Sequence, residues 1–125
     1  MVWHVILAKK VVFLGGFFKV VLEELYEIIT DRKLSDNNGS YTKYLLDEGE
    51  DKILKKVGEE CTEVIIASKS DNKSEIVNEI SDLVYHLLVL MVNKNIDIKE
   101  IKDELNNRKN KINNYKGERK QLENL

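Results

Sequence analysis

The amino-acid sequence predicts an all-α fold of four or five helices, and three observations support this prediction. The 125 residues include no proline and only six glycines, whereas a strand-rich domain needs a turn about every 8–12 residues. Apolar residues recur at helical spacing along most of the chain. Turn and capping signals separate these periodic stretches from one another. At 14.5 kDa the chain has the size of a single domain.

The individual helices follow from the periodic stretches and from the polar residues between them. The predicted helices cover residues 17–32, 41–47, 51–68, 74–92 and 98–109. Their boundaries are set by Ser40 and Gly49 around the second helix, by Asn72 with Glu75 before the fourth, and by Asp97 with Glu100 before the fifth. The turn-rich segment at residues 35–40 separates the first two helices.

Two terminal segments fall outside the helical domain, which we assign to residues 17–112. Residues 1–16 are predicted to be an N-terminal extension, in which Lys9 and Lys10 interrupt an apolar run. A membrane span needs about 20 consecutive apolar residues, and the order of charged and apolar residues fits a signal peptide poorly. A peripheral membrane anchor is the alternative for this extension. Residues 113–125 form a polar tail.

Charge and cysteine content narrow the classes of partner and compartment. The chain has 20 basic and 22 acidic side chains and a net charge of −2. Nucleic-acid binding calls for a clear basic excess, so we expect no nucleic-acid partner. We also expect no membrane partner, because lysines interrupt the apolar run of the N-terminal segment. The single cysteine, Cys61, cannot form a disulfide within the chain, which favours a cytoplasmic location.

The third predicted helix places carboxylates beside an apolar face. At 100° per residue, its apolar side chains fall on an arc of about 120° that we expect to face the core; these are Ile53, Leu54, Val57, Cys61, Val64 and Ile65. Cys61 is therefore predicted to be a small core residue. Glu60 lies at the edge of the arc, and Glu63 is its neighbour one turn further along.

The fourth predicted helix carries a second set of ionisable residues. Its apolar side chains cover an arc of about 200°, and four ionisable side chains lie within about 60° of one another on the rest of the surface; these are Glu75, Glu79, Asp82 and His86. Buried carboxylates are costly unless they are paired or bind a metal. The two helices together predict a shared site for a hard cation. A solvated acidic face is the alternative, because 34% of the residues are charged.

Two short motifs carry a resemblance to a known family. The pattern Glu59-Glu60-x-x-Glu63, followed by Glu79-x-x-Asp82, resembles the paired carboxylates of the MazG-like all-α nucleotide pyrophosphatases. Residues 22–108 more narrowly resemble the phosphoribosyl-ATP pyrophosphatases of histidine biosynthesis. The matching segments are LEELYEII from residue 22, SYTKYLLDEGEDKILKKVGEE from residue 40 and SDLVYHLLVLM from residue 81.

This resemblance implies an activity and a set of site residues. The activity is the hydrolysis of phosphoribosyl-ATP to phosphoribosyl-AMP and pyrophosphate, with Mg²⁺ as cofactor and Mn²⁺ as a possible substitute. The implied metal ligands are Glu60, Glu63, Glu79 and Asp82, the implied catalytic residues are Glu59, Glu60 and Glu63, and the implied substrate-binding residues are Tyr41, Thr42, Lys52 and Lys56. Glu59 is a candidate for a further ligand or for the general base. We expect His86 to be buried or hydrogen-bonded rather than a ligand, because Mg²⁺ prefers oxygen.

The wide apolar arc of the fourth helix also predicts that a MazG-like bundle is completed by homodimerisation. A few short helices offer too few neighbours to cover the arc, and two-fold contacts are the commonest solution. Val84, Leu88 and Met91 are the expected contact residues. Two other functions remain open from the residues alone: a related pyrophosphatase that clears unwanted nucleoside triphosphates, and a non-catalytic helical interaction module.

Overall fold

The computed structural model describes residues 17–36 and 39–111, and this part of the chain contains five α-helices and no strand. The helices are α1 (Phe17–Leu34), α2 (Tyr41–Glu48), α3 (Glu50–Ser70), α4 (Lys73–Asn93) and α5 (Ile98–Lys109). The predicted all-α fold is confirmed, with each boundary within three residues of its expected place. The predicted extension at residues 1–16 and the tail at residues 113–125 lie outside the described residues.

The predicted capping residues form the helix ends. Ser40 caps α2, where its hydroxyl oxygen accepts a hydrogen bond from the Lys43 N–H at 3.2 Å. Gly49 follows α2 directly with φ of +94°, a backbone conformation open to glycine and strained for other residues. This one residue therefore ends α2 and redirects the chain into α3.

The two later caps differ from each other. Asp97 and Glu100 form a complete capping box at the start of α5, each accepting a hydrogen bond from a backbone N–H. At α4, the Asn72 side chain accepts from two backbone N–H groups, but the Glu75 carboxylate accepts from the Ser70 hydroxyl at 3.2 Å. The predicted box before α4 is thus half formed, and Glu75 links the ends of α3 and α4.

Helices α3 and α4 form an antiparallel hairpin around which the others pack. Only Asp71 and Asn72 separate them, and Asp71 takes the left-handed conformation that ends α3. All five helices contribute to one core of fully or nearly fully buried side chains, namely Ile29, Leu45, Ile53, Leu88, Val89, Val92 and Ile98. The Tyr26 hydroxyl donates to the Ile96 carbonyl at 2.7 Å and ties α1 to the connection between α4 and α5.

The buried face of α3 differs from the predicted arc. Its buried residues are Ile53, Glu60 and Ala67, which recur every seven residues and so lie along one line of the helix. Cys61 and Ile65 are exposed, so the expectation that they face the core is wrong. The helical wheel treated apolar residues alone as candidates for the core, whereas the line that meets α4 contains a glutamate. Leu54 is also exposed.

One of the three predicted dimer contacts on α4, Leu88, lies in the core of the chain itself. Leu88 is only 2% exposed and belongs to the core, while Val84 and Met91 pack partly buried against that core. The wide apolar arc of α4 is covered in large part within the chain, because α4 contacts α1 and α2 as well as α3. The prominent exposed apolar residues of α4 are instead Val77 and Ile80.

Within the described ranges, no helix combines the length and the apolar character that a membrane crossing requires.

Candidate metal and substrate site

Three carboxylates meet where α3 packs against α4. Glu60 comes from the buried line of α3, and Glu79 and Asp82 come from adjacent turns of α4. One side-chain oxygen from each lies within 4.8 Å of the others, and Glu60 is only 6% exposed. The antiparallel hairpin creates this carboxylate cluster, because it places the middle of α3 opposite the first half of α4. These are three of the four residues predicted as metal ligands.

The carboxylate cluster has oxygens that receive no hydrogen bond from the described residues, 17–36 and 39–111. Glu60 Oε2 and Glu79 Oε2 are both buried and have no hydrogen-bond partner. Such atoms cost free energy unless another group satisfies them. The ammonium of Lys56 lies 3.6 Å from the other Glu60 oxygen, so the pairing is partial. An all-oxygen donor set of this kind fits Mg²⁺ or Mn²⁺.

Glu63, the fourth predicted ligand, lies beside the cluster and contacts Glu79. The hydrogen bond between protonated Glu79 and Glu63 raises the pKa of Glu79, and burial and the charges of Glu63, Asp82 and Glu60 raise it further. Two carboxyl groups can form a hydrogen bond only when they share a proton. A cavity of about 390 Å³ opens here, lined by Glu63, Ile66, Ala67, Glu75 and Glu79. The cavity therefore borders both Glu63 and one member of the cluster, Glu79.

Lys56 links the cluster to the exposed Glu59. Its ammonium lies 3.1 Å from Glu59 Oε2, and this hydrogen bond raises the pKa of Lys56 and lowers that of Glu59. Glu59 also lies 4.0 Å from the ammonium of Lys55. Glu59 is thus a paired carboxylate at the surface, whereas its neighbour Glu60 is in the cluster.

The predicted substrate-binding residues on α2, Tyr41 and Thr42, both contact α4. Tyr41 is half exposed, and its hydroxyl is 2.9 Å from His86 Nε2. Burial raises the pKa of the Tyr41 hydroxyl, Lys56 opposes this shift, and Glu60 and Glu59 add to it. Thr42 is buried and its hydroxyl is hydrogen-bonded to the Tyr85 hydroxyl. Lys52 lies over the ring of Tyr44, 5.8 Å from its centre.

A comparison with protein families agrees with this geometry. The model of the phosphoribosyl-ATP pyrophosphohydrolase family matches residues 22–109, which contain the cluster and every predicted site residue. The chain belongs to this family. It is 52% identical over 105 residues to the phosphoribosyl-ATP pyrophosphatase of Clostridium novyi and 56% identical to that of Clostridium acetobutylicum. In both cases the match covers 84% of this chain and 96% of the relative.

A third relative carries the same region within a longer protein. The histidine biosynthesis bifunctional protein of Caldanaerobacter subterraneus is 60% identical over 88 residues. The match covers 70% of this chain and 43% of that protein. The matched region therefore makes up nearly the whole of the two Clostridium relatives and less than half of the bifunctional one.

Sequence reasoning missed the role of Tyr85 in this family member. The segment SDLVYHLLVLM served only as a matching motif, and no contact was predicted for Tyr85. A tyrosine hydroxyl on a buried helix nevertheless needs a hydrogen-bond partner. The adjacent pair Tyr85 and His86 could have signalled this, because two polar rings in an otherwise apolar run predict hydrogen bonds to another helix. His86 is buried, as expected, and bonds to Tyr41.

The raised pKa of Glu79 means that a proton on its carboxyl group, beside Glu63, gives the metal-free protein a specific pH dependence. Because the pKa of Glu79 is raised above 4.5 in the folded chain, the folded state holds this proton more tightly than the unfolded state. Its contribution to stability is complete below pH 4.5 and is lost as the pH rises through the raised pKa. Urea unfolding in the presence of a chelator should therefore show that the free energy of unfolding of the wild type falls, relative to that of Glu79→Gln, as the pH rises above 4.5. A constant difference between the two proteins would contradict the raised pKa of Glu79.

Proposed function

We propose that this chain hydrolyses phosphoribosyl-ATP to phosphoribosyl-AMP and pyrophosphate, the second step of histidine biosynthesis. The observation that carries the proposal is the carboxylate cluster of Glu60, Glu79 and Asp82, with buried oxygens that find no partner in the described part of the chain. The names of the relatives from both Clostridium species supply the substrate, and the bifunctional relative supplies the pathway. The lone cysteine is consistent with a cytoplasmic enzyme.

We infer that the cluster binds Mg²⁺, with Mn²⁺ as a substitute, through Glu60, Glu79 and Asp82. Glu63 completes the ligand set once its shared proton is displaced, since it already contacts Glu79. A divalent ion in this position would offset negative charge on the phosphates as the anhydride bond between the α and β phosphates breaks.

The remaining polar residues bind the substrate and move a proton in this proposal. Lys52 and Lys56 lie one turn apart on α3 and contribute positive charge for the phosphates. Glu63 is the better candidate for accepting the proton of the attacking water, because it is exposed and contacts the cluster. Glu59 has the alternative task of holding Lys56 in place, through the bond at 3.1 Å.

The test of this function is a panel of nucleotides with released pyrophosphate as the readout. We expect phosphoribosyl-ATP to be hydrolysed with a far higher kcat/KM than ATP, dATP, dUTP or dCTP, and hydrolysis to require Mg²⁺ or Mn²⁺. Preference for an ordinary nucleoside triphosphate would instead indicate a clearing pyrophosphatase on the same scaffold. No hydrolysis and no binding of either ion in a calorimetric titration would indicate a non-catalytic interaction module.

We also propose that two copies of the chain form a homodimer through the α3–α4 hairpin. Large apolar residues remain exposed on both helices: Leu54 and Ile65 on α3, and Val77 and Ile80 on α4. On α3, Leu54, Cys61 and Ile65 lie within about 40° of one another on the helical wheel, so they form a stripe along one side. An apolar stripe of this kind on a small chain is typical of an interface between subunits.

The dimer is tested by sedimentation at micromolar concentration. Wild type should sediment as a dimer, and Ile65→Glu should sediment largely as a monomer, because Ile65 is 64% exposed within one chain. Leu105→Glu is the matched control, since Leu105 is 59% exposed but lies on α5. A monomeric and fully active wild type would rule out the dimer.

A further inference from the structure

Two adjacent hydrogen bonds connect the start of α2 to the middle of α4. The Tyr41 hydroxyl lies 2.9 Å from His86 Nε2, and the Thr42 hydroxyl bonds to the Tyr85 hydroxyl. Two consecutive residues on one helix thus bond to two consecutive residues on another. We call these four residues the α2–α4 clasp. Three of them are buried or half-buried, and Tyr41 is the exposed member, at 47%.

The histidine of the clasp has defined proton positions. His86 Nδ1 lies 2.7 Å from the backbone carbonyl oxygen of Asp82. A carbonyl oxygen can only accept, so Nδ1 carries a hydrogen and donates. In the neutral ring Nε2 then has a lone pair, and the Tyr41 hydroxyl donates to it. The tautomer of His86 is therefore fixed by the backbone of α4, and it presents a hydrogen-bond acceptor to α2.

This geometry also sets the direction of the Tyr41 ring. The ring packs edge-on against His86, with centres 5.8 Å apart, and is stacked against Tyr44 at 6.4 Å. Its hydroxyl donates its one hydrogen to His86, so its oxygen can still accept a hydrogen bond, and the charges of Lys56 and Glu60 act on it. Tyr41 is thus held at the boundary between the buried clasp and the solvent beside the cluster.

We propose that His86 is a positioning residue for substrate binding: it acts by holding the Tyr41 side chain beside Lys56 and the carboxylate cluster. The inference rests on the proposed function and adds Tyr41 to the residues that contact the substrate, because its side chain is 47% exposed and feels the charges of Lys56 and Glu60. His86 itself is 5% exposed and has both ring nitrogens occupied by the chain, so it acts through Tyr41.

Steady-state kinetics on the full chain with phosphoribosyl-ATP and Mg²⁺ tests this role. Tyr41→Phe and His86→Leu should each raise KM by about 5- to 10-fold, the value of one hydrogen bond, with a smaller change in kcat. The double variant should be no worse than the weaker-binding single variant, because both changes remove the same bond. His86→Gln, whose amide oxygen can accept from Tyr41, should restore most of the affinity.

A matched control separates positioning from a general loss of stability. Tyr26→Phe removes a tyrosine hydroxyl that bonds to the Ile96 carbonyl, away from the cluster. This variant should lower the melting temperature to an extent similar to Tyr41→Phe and leave KM unchanged. Additive effects in the double variant, or an unchanged KM in folded Tyr41→Phe and His86→Leu, would overturn the proposal.

Nuclear magnetic resonance of ¹⁵N-labelled protein distinguishes failure of this inference from failure of the proposed function. The His86 ring should show hydrogen on Nδ1, and Tyr41→Phe should shift the Nε2 resonance. A wild type that hydrolyses phosphoribosyl-ATP but has hydrogen on Nε2 alone would overturn the positioning role. A wild type that shows the expected tautomer and shift but prefers another nucleotide would overturn the substrate, and the same variants would then be assayed with that nucleotide.

Discussion

Replacing Glu60 by glutamine should reduce the turnover of phosphoribosyl-ATP by at least about 100-fold, the usual effect of removing one group that stabilises charge in a transition state. Glu60 is the most buried member of the carboxylate cluster, and one of its oxygens has no hydrogen-bond partner among the residues that the structure describes. Glutamine keeps the shape of the side chain but removes its negative charge. The affinity for Mg²⁺ or Mn²⁺ should therefore fall together with turnover.

The same substitution should leave the fold intact and increase the free energy of unfolding. Glu60, Glu79 and Asp82 repel one another when no cation is bound, and Glu60 contributes one of these charges at a buried position. Calorimetric titration with Mn²⁺, circular dichroism and urea unfolding measure the three expected effects. Glu79→Gln and Asp82→Asn should follow the same pattern.

Glu104→Gln is the control for a general effect of losing one negative charge. Glu104 forms an exposed ion pair with Arg108 at 2.8 Å on α5, and exposed pairs contribute little to stability. Turnover and metal affinity should be unchanged in this variant. Near wild-type turnover in Glu60→Gln would remove the carboxylate cluster from the catalytic site.

The helices were predictable from the sequence because their signals are local. Ser40, Gly49 and Asp97 act on backbone groups within a few residues, and so a short window of sequence contains both partners of each interaction. The candidate ligands were predictable for a related reason. Two carboxylate pairs at helical spacing, on helices joined by a short turn, must meet if the helices form a hairpin.

The burial of individual side chains was less predictable, because it depends on how distant helices pack. A wheel of α3 alone gives no reason to place Glu60 inside and Ile65 outside. The burial of these side chains depends on which line of α3 meets α4, and on the packing of α1 and α2 against α4 as well. The α2–α4 clasp was missed for the same reason, since Tyr41 and His86 are 45 residues apart.

Leu88 provides the clearest test of how α4 is packed, because Leu88→Asp should unfold the chain. Leu88 is 2% exposed and lies in the core with Val89 and Val92. An unpaired charge in such a position costs several kcal/mol, while the whole stability of a small domain is roughly 5–15 kcal/mol. The variant should lose its helical circular dichroism signal or aggregate during expression.

The matched control is Leu105→Asp, which makes the same chemical change at a residue that is 59% exposed on α5. This variant should remain folded, with a change in unfolding free energy of about 0.5 kcal/mol or less. The sequence alone placed Leu88 at a dimer contact, and that arrangement would give a different result. A Leu88→Asp chain that is folded, soluble and monomeric would mean that Leu88 faces a second subunit, and it would contradict the core described here. If Leu88→Asp unfolds and Leu105→Asp stays folded, then Leu88 packs within its own chain. Any contact between subunits then involves the exposed side of the α3–α4 hairpin.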